Sequence, residues 1–181
     1  MSKFVRSYPE KEALNQYWYS PATIEVLAKD IVAQCPKVVA FLSTPSLYYA
    51  CEELQPPSTE LVLFDYDKAL PRVVPYDFNA PTTFPRDGLA GHFDFVVIDP
   101  PFITEQVWTK YAETAKYLLA PNGKILLTTI AENQSMIDRL LGCQLRRFRP
   151  SIPHLVYQYG LYSNYTSDAL DTPNPEVPDD D

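Results

Sequence analysis

The chain has 181 residues, a net charge of −8 and a pI of about 4.7. An apolar content of 46% and a charged content of 21% are typical of one globular domain with a sizeable core. The acidic balance argues against a partner held mainly by phosphate contacts, since such proteins usually present a basic face. It suits a basic partner or a small ligand better.

The three cysteines, Cys35, Cys51 and Cys143, have spacings that fit neither a metal site nor a redox motif. We therefore expect reduced thiols, no bound metal and a cytoplasmic protein. The first 15 residues lack the apolar stretch of a secretory signal, and no apolar run approaches the ~20 residues of a membrane span.

The N-terminal part is predicted to hold an arm over residues 1–12 and a short helix over 10–19. A longer helix follows to about Gln34, because Ser20 is a good N-cap and Pro21 a good first helical residue. Further helices are predicted over 46–54, 104–119 and 133–141.

Apolar segments alternate with these helices and predict a sheet. The predicted strands are 38–42, 59–65, a weaker one at 72–76, 93–98 and 124–129. Continuous apolar runs fit parallel strands covered on both faces, whereas 144–148 and 155–162 look like an antiparallel pair. The pattern predicts a doubly wound α/β domain over 13–165, followed by a disordered acidic tail over 166–181.

Polar residues follow the first three predicted strands, where open α/β sheets bind their ligands. Ser43, Thr44, Pro45 and Ser46 follow the first strand and include no glycine, although nucleotide-type cofactors usually favour glycine there. Their hydroxyls can bind a ligand, or Ser46 can simply cap the next helix.

The second and third strands are followed by an acidic and an aromatic residue each. Asp65 and Tyr66 follow the second strand, where a carboxylate can accept hydrogen bonds from the two hydroxyls of a ribose. Asp77 and Phe78 follow the third, where they can meet the amino group and the face of an adenine. The alternative for each pair is an ordinary solvated loop.

The most specific signal follows the strand at 93–98. Asp99, Pro100, Pro101 and Phe102 form a rigid corner, because two consecutive prolines fix two φ angles and remove two N–H donors. The carboxylate and the free carbonyls can hold an amino group by its hydrogens and aim its lone pair at an electrophile. Phe102 can pack against the group being modified. The alternative is a strand-to-helix turn with an incidental aspartate.

This tetrapeptide resembles the [Asn/Asp/Ser]-Pro-Pro-[Tyr/Phe/Trp] motif of amino-group methyltransferases with the class I S-adenosylmethionine (SAM) fold. That motif alone occurs in adenine, cytosine, glutamine and lysine methyltransferases. Three further blocks, 16–20, 41–48 and 64–67, are similar to the eukaryotic elongation factor 1-alpha lysine methyltransferases. The resemblance covers about residues 13–165.

The resemblance implies a Rossmann-like class I sheet of seven strands, mostly parallel with an antiparallel edge, and SAM as the cofactor. It implies that SAM lies against the residues named above after the first three strands and against Trp18, Tyr19, Ser20 and Asp99. The implied substrate is a lysine of elongation factor 1-alpha, modified by a monomer at Asp99, Pro100, Pro101 and Phe102.

The main alternative is an adenine-N6 methyltransferase acting on DNA or RNA, with an unpaired base against Phe102. Basic residues are sparse outside Arg146, Arg147 and Arg149, which favours the lysine substrate. We interpret that basic run as a solvated strand edge rather than a phosphate contact. A non-catalytic subunit with the same fold is a third reading, and the intact tetrapeptide argues against it.

Overall fold

The computed structural model describes residues 3–54 and 58–179. Within these ranges no helix is long and apolar enough to cross a membrane. The helices are α1 (Lys3–Ser7), α2 (Pro21–Ala33), α3 (Pro45–Leu54), α4 (Glu105–Leu118) and α5 (Gln134–Leu141), with 3-10 turns at Glu12–Leu14 and Ala131–Asn133. The strands are β1 (Val38–Leu42), β2 (Glu60–Asp65), β3 (Val74–Pro75), β4 (Phe93–Ile98), β5 (Leu119–Ile130), β6 (Gln144–Leu145) and β7 (Tyr159–Ser163).

The seven strands form one sheet in the order β3-β2-β1-β4-β5-β7-β6. The first five pair in parallel, and β7 lies antiparallel between β5 and β6. The order reverses between β1 and β4, which leaves a crevice at their carboxyl ends. The class I architecture with an antiparallel edge is therefore confirmed, whereas β3 is much shorter than predicted.

Two apolar cores cover the two faces of the sheet. Helices α2 and α3 pack on one face, and α4 and α5 pack on the other. Alternate residues of β1 supply both cores, as Phe41 faces α3 and Leu42 faces α4. This burial on both sides is the reason why β1 and β4 read as continuous apolar runs.

Strand β5 contains an irregularity at Pro121-Asn122-Gly123. Its pairing with β4 shifts between Phe93↔Leu119 and Phe95↔Lys124. Asn122 adopts a φ of 63°, in the left-handed region. A Cβ on Gly123 would meet the end of the Leu119 side chain, which would have to move to make room for it.

The N-terminal segment differs from the predicted arm and helix. Residues 3–7 form α1, and Phe4 is buried against Trp18 and Tyr49. The predicted helix over 10–19 is wrong, since only Glu12–Leu14 forms a 3-10 turn. That turn ends at Asn15 with a φ of 51°, and the chain then runs extended to Ser20.

The C-terminal segment 166–179 is packed on the domain, so the predicted disordered tail is wrong for these residues. Leu170 is fully buried, and its carbonyl accepts a hydrogen bond of 2.9 Å from the Phe148 amide. The Asn174 side chain is buried and donates to the Arg149 carbonyl at 2.8 Å. The acidic, proline-rich composition of this segment gave no indication that Leu170 and Asn174 would pack against the domain.

The same segment explains the basic run at 146–149. Arg147 and Arg149 lie 4.0 and 3.7 Å from the Asp179 carboxylate, and Arg146 donates to the Ser163 hydroxyl at 2.8 Å. The run therefore contacts the chain itself, and the interpretation as a solvated strand edge is only partly correct.

Candidate active site

A cavity of about 320 Å³ opens at the carboxyl ends of β1, β2, β3 and β4. Three groups of residues line it: those that follow the strands, part of the segment before α2, and side chains from α4 and the β6–β7 connection. The lining residues are 13–19, 43–46, 65–67, 76–79, 99–102, Tyr111, Ile152, Leu155 and Tyr159. The sheet thus brings together motifs that lie more than 80 residues apart.

The loop after β1 is shaped by a serine in the left-handed region. Ser43 has a φ of 58°, its amide donates to the Phe64 carbonyl at 2.9 Å, and its hydroxyl is 2.7 Å from the Tyr111 hydroxyl. A left-handed turn normally favours glycine, and here two hydrogen bonds hold a serine in it. The absence of glycine from this loop is therefore compatible with a tight turn beside the cavity.

Thr44 carries a buried hydroxyl that has no hydrogen-bond partner in the described residues. Helix α3 begins at Pro45, so Thr44 and not Ser46 precedes its first turn, and the prediction of Ser46 as the cap is wrong. A buried, unpaired hydroxyl is costly unless a ligand completes it. Thr44 lines the cavity, so a ligand that enters the cavity can supply the missing hydrogen-bond partner.

Two aspartates follow β2 and have different surroundings. Burial raises the pKa of Asp65 to about 6, although the Asp67 amide donates to its carboxylate at 2.8 Å. Asp67 is also buried, yet hydrogen bonds from Lys11 and Gln16 outweigh that burial and lower its pKa. Asp67 is therefore committed to the protein, whereas Asp65 keeps accepting capacity for a ligand.

Asp77 and Phe78 lie at the same end of the sheet, after β3. The Asp77 carboxylate accepts from the Asn79 amide at 2.8 Å and closes a tight turn. The Phe78 ring packs 5.8 Å from the Tyr111 ring, and the Lys110 ammonium lies 5.5 Å from its centre. The turn and the ring contacts hold Phe78 in the cavity wall.

Asp99 lies at the centre of the site, at the end of β4. Burial is the main cause that raises its pKa to about 7, and hydrogen bonds from Tyr19 and Thr128 oppose this. The hydroxyls of Tyr19 and Thr128 are both buried and lie 2.6 Å apart. Burial and the nearby Asp99 charge raise the pKa of Tyr19 well above its usual value, so Tyr19 remains a hydrogen-bond donor.

The rest of the tetrapeptide forms the outer side of the site. The Asn15 side-chain amide donates a hydrogen bond to the Pro101 carbonyl, so this carbonyl already has a partner. Phe102 is 49% exposed although its ring lines the cavity. A large apolar ring in this position is available to contact an incoming substrate.

Residues 10–19, which we call the N-terminal strap, cross the cavity and are fastened at several points. Lys11 and Gln16 bind the Asp67 carboxylate at 2.8–2.9 Å, and Asn15 binds Pro101 as described above. The Trp18 indole donates to the Tyr8 carbonyl at 2.9 Å. The strap therefore links the loop after β2 to the tetrapeptide after β4.

The charge of the cavity wall is one-sided. Four carboxylates line it, from Asp65, Asp67, Asp77 and Asp99, and no lysine, arginine or histidine is among the lining residues. Aromatic rings make up much of the remaining wall, namely Tyr17, Trp18, Tyr19, Tyr66, Tyr76, Phe78, Phe102, Tyr111 and Tyr159. Carboxylates and aromatic faces both attract cations, whereas phosphate groups would be repelled.

All but one of the predicted site residues line this cavity. The exception is Ser20, whose hydroxyl accepts from the Thr23 amide at 3.1 Å and donates to Glu176. Tyr48 and Tyr49 are not among the lining residues and pack in the core against Phe41 and Phe4. Trp108 is fully buried on α4.

Several lining residues were missed from the sequence. Tyr111 and Tyr159 look like ordinary core positions of a helix and a strand, and Asn15 gives no local signal of a left-handed turn. Asp67 offered a signal, because it stands two residues after Asp65 in the same loop. Within the described ranges, no group of three or more His, Cys, Asp or Glu residues is arranged to hold a metal ion.

Comparison with known proteins agrees with this geometry. Residues 10–167 match the model of a family described as "Probable N6-adenine methyltransferase". The chain is 34% identical over 165 residues to EEF1A lysine methyltransferase 1 of Homo sapiens, which covers 87% of this chain and 76% of the relative. It is 36% identical over 129 residues to protein-lysine N-methyltransferase EFM5 of Saccharomyces cerevisiae, covering 65% of this chain and 52% of the relative.

Solved structures share the fold at low sequence identity. A Burkholderia thailandensis N1-methyltransferase with bound S-adenosylhomocysteine superposes with a TM-score of 0.56 at 13% identity, covering 80% of this chain and 78% of that one. TrmN from Thermus thermophilus gives a TM-score of 0.53 at 16% identity, covering 75% of this chain and 47% of that one. These likenesses support the fold.

Proposed function

We propose that the substrate of this chain is a lysine of translation elongation factor 1-alpha. The chain belongs to the family described as probable N6-adenine methyltransferases. The two relatives named above are lysine methyltransferases. The chain is a SAM-dependent protein-lysine N-methyltransferase. The observation that carries the choice of lysine is the cavity wall, whose described residues include four aspartates, one of them (Asp67) already paired with Lys11, and no basic side chain. Such a wall attracts an ammonium group.

The residues present fit SAM. The unpartnered Thr44 hydroxyl and the accepting capacity of Asp65 both lie in the wall and suit a ligand with polar groups at each end. Ser43, Pro45 and Ser46 complete the loop beside Thr44, and Tyr66, Asp77 and Phe78 complete the far end. We assign Asp65 to the ribose hydroxyls, and Asp77 and Phe78 to the adenine. Bound SAM supplies an electrophilic methyl group on a positively charged sulfur.

Trp18 and Tyr19 contribute in different ways. Trp18 is fixed by its indole hydrogen bond and covers the cavity as part of the strap. Tyr19 lies beside Asp99 and holds the orientation of its carboxyl group through the hydrogen-bonded pair with Thr128. Ser20 supports both from outside the cavity, because it caps α2 where the strap ends.

The tetrapeptide orients the amine. We assign the Asp99 carboxylate and the Pro100 carbonyl as acceptors of the amine hydrogens, since the Pro101 carbonyl is bound by Asn15. Pro101 keeps the corner rigid, and Phe102 packs against the aliphatic part of the lysine. Acceptors placed on one side direct the nitrogen lone pair to the other side, towards the methyl group.

The amine must lose a proton before it attacks, because a free lysine has a pKa of about 10.4. An ionised Asp99 stabilises the ammonium, whereas burial and a neighbouring positive charge favour the neutral amine. Asp99 is therefore an orienting acceptor rather than a strong base. It must be ionised to accept, so activity rises as the pH passes through about 7.

Adenine in DNA or RNA remains the second candidate, and only the family description favours it. A nucleic acid would bring phosphates towards a cavity whose wall includes Asp65, Asp67 and Asp77. We also propose that the enzyme is a cytoplasmic monomer, in line with a translation factor as substrate and three free cysteines.

Labelled SAM tests the proposal. The full chain and its Asp99→Ala variant are incubated with purified elongation factor 1-alpha, and separately with DNA and RNA. We expect label on a lysine of the factor, lowered about 100-fold in the variant, because an oriented acceptor is lost. Label on nucleic acid alone would contradict the lysine assignment, and equal labelling by the variant would contradict the role of Asp99.

A further inference from the structure

Exposed apolar side chains are concentrated around the mouth of the cavity. Among the described residues six large apolar side chains are exposed: Leu54, Tyr66, Phe102, Tyr117, Val156 and Tyr157. Tyr66 and Phe102 line the cavity. Val156 and Tyr157 stand between Leu155 and Tyr159, which also line it. Four of the six therefore border one opening, and we call these four the apolar rim.

The tip of the loop before β7 is the most exposed part of this rim. Val156 is 93% exposed and Tyr157 is 61% exposed. Isolated exposed apolar residues are common, whereas contiguous exposed apolar patches are typical of interaction sites. Exposing two neighbouring apolar side chains to water is unfavourable, and a partner that covers them would recover that free energy.

The loop is held at its base, so its tip cannot easily turn inward. The Ser151 amide donates to the Thr23 hydroxyl at 3.0 Å, and the Gln158 side chain donates to the Pro150 carbonyl at 3.0 Å. His154 lies 2.7 Å from the Glu10 carboxylate of the strap. Contacts on both sides of the tip therefore present Val156 and Tyr157 in a preorganised position, which lowers the entropy lost on binding.

We propose that the apolar rim, and above all Val156 and Tyr157, is the docking surface for apolar residues that flank the target lysine of the protein substrate. The proposal rests on the proposed function, because only a macromolecular amine substrate extends beyond the cavity. The carboxylates inside attract the ammonium, and the apolar rim outside binds the neighbouring side chains. The rim selects the segment that carries the lysine, and the cavity selects the lysine itself.

A kinetic comparison on purified elongation factor 1-alpha tests this surface. Neither Val156 nor Tyr157 lines the cavity, so the double variant Val156→Ser/Tyr157→Ser leaves the reacting groups in place. We expect its KM for the protein substrate to rise about five- to tenfold with kcat within about twofold of the wild type, because contacts outside the reacting centre are lost. Its affinity for SAM, measured by calorimetry, is expected to be unchanged.

Two control variants accompany the double variant. Leu54→Ser removes an exposed apolar side chain away from the mouth and is expected to keep the wild-type KM. Val156→Ile/Tyr157→Phe keeps the rim apolar and is also expected to keep it. Thermal unfolding of every variant confirms that the fold is intact.

The outcomes separate the two proposals. If the wild type does not methylate the factor, the proposed function and the docking surface both fail. If the wild type is active and the double variant keeps a normal KM, or if Leu54→Ser raises KM equally, only the docking surface fails. A wild type that dimerises in gel filtration while the double variant is monomeric would show that a second copy covers the rim, and would also overturn the proposal.

Discussion

Thr44 shows how a single residue links the free protein to its cofactor. Its hydroxyl is buried with no partner in the described residues, which destabilises the folded chain, and it lies in the wall of the cavity proposed to bind SAM. Two other wall residues are also unfavourable for stability, Ser43 in a left-handed conformation and Asp99 with a largely desolvated carboxyl group. Residues that are unfavourable in the free protein are thus concentrated in the wall of this cavity.

The change Thr44→Val separates these two effects. Valine has a similar shape without the hydroxyl, so we expect an increase in stability of about 1 kcal/mol and SAM binding weakened about fivefold or more. Calorimetric SAM titration and thermal unfolding of the same samples measure both. An unchanged SAM affinity would show that the hydroxyl does not meet the cofactor. Ser46→Ala, in the same wall, shows how much a neighbouring hydroxyl contributes.

The raised pKa of Asp99 makes a second prediction at the residue scale. Its folded-state pKa of about 7 lies above the unfolded value of 3.8, so the folded chain binds more protons between these values. Ionisation of Asp99 therefore lowers stability as the pH rises from 4 to 7, and the full cost is present at pH 8. We expect Asp99→Asn to raise the melting temperature at pH 8 and to have a smaller effect at pH 4.

The pH dependence of kcat/KM provides the functional counterpart. The wild type is expected to gain activity between pH 6 and 8, because Asp99 accepts the amine hydrogens only when ionised. Asp99→Asn, which cannot ionise, is expected to lose this limb and to be slower at every pH. A limb near pH 7 that persists in Asp99→Asn would assign the ionisation to another group.

At the scale of elements, the N-terminal strap forms one wall of the cavity. Lys11 and Gln16 bind the Asp67 carboxylate, and Asn15 donates a hydrogen bond to the tetrapeptide. The strap has little regular secondary structure of its own. Segments held by a few polar contacts open at a lower free energy than the core. The strap is therefore the part of the wall best suited to move when the cofactor binds or leaves.

Removal of the Asp67 contacts is expected to loosen the strap. Asp67→Asn loses the ionic attraction to Lys11, so we expect faster dissociation of SAM and a Kd raised about three- to tenfold, with a small change in melting temperature. Stopped-flow tryptophan fluorescence reports the rate. The variant Lys29→Met removes an exposed ion pair elsewhere and serves as the control. Equal rates in wild type and Asp67→Asn would contradict this role of the strap.

For the whole molecule, the C-terminal segment completes the fold rather than trailing from it. Leu170 is fully buried, and Asn174 and Glu176 contact the start of α2 and the loop after β6. This packing braces the region from which Tyr19 and the β6–β7 connection reach the cavity. The edge of the sheet formed by β7 and β6 and the N-terminal strap are thus stabilised by contacts outside the cavity.

Leu170→Ala tests this packing. Loss of a buried leucine side chain typically lowers the free energy of unfolding by about 2–5 kcal/mol, so a clear fall in melting temperature is expected. The exposed neighbour Asp171→Ala is expected to have almost no effect. A melting temperature unaffected by Leu170→Ala would indicate a tail that does not pack in solution.

Local patterns determined much of this protein. Buried apolar runs predicted β1, β2 and β4, and the Ser20-Pro21 pair predicted the start of α2, because each depends on neighbours within a few residues. The tetrapeptide marked a corner that lines the cavity. The tertiary structure decided the rest. The strap, the packing of Leu170 and the meeting of Tyr19, Thr128 and Asp99 depend on contacts between residues far apart in the chain, and no local pattern encodes those contacts.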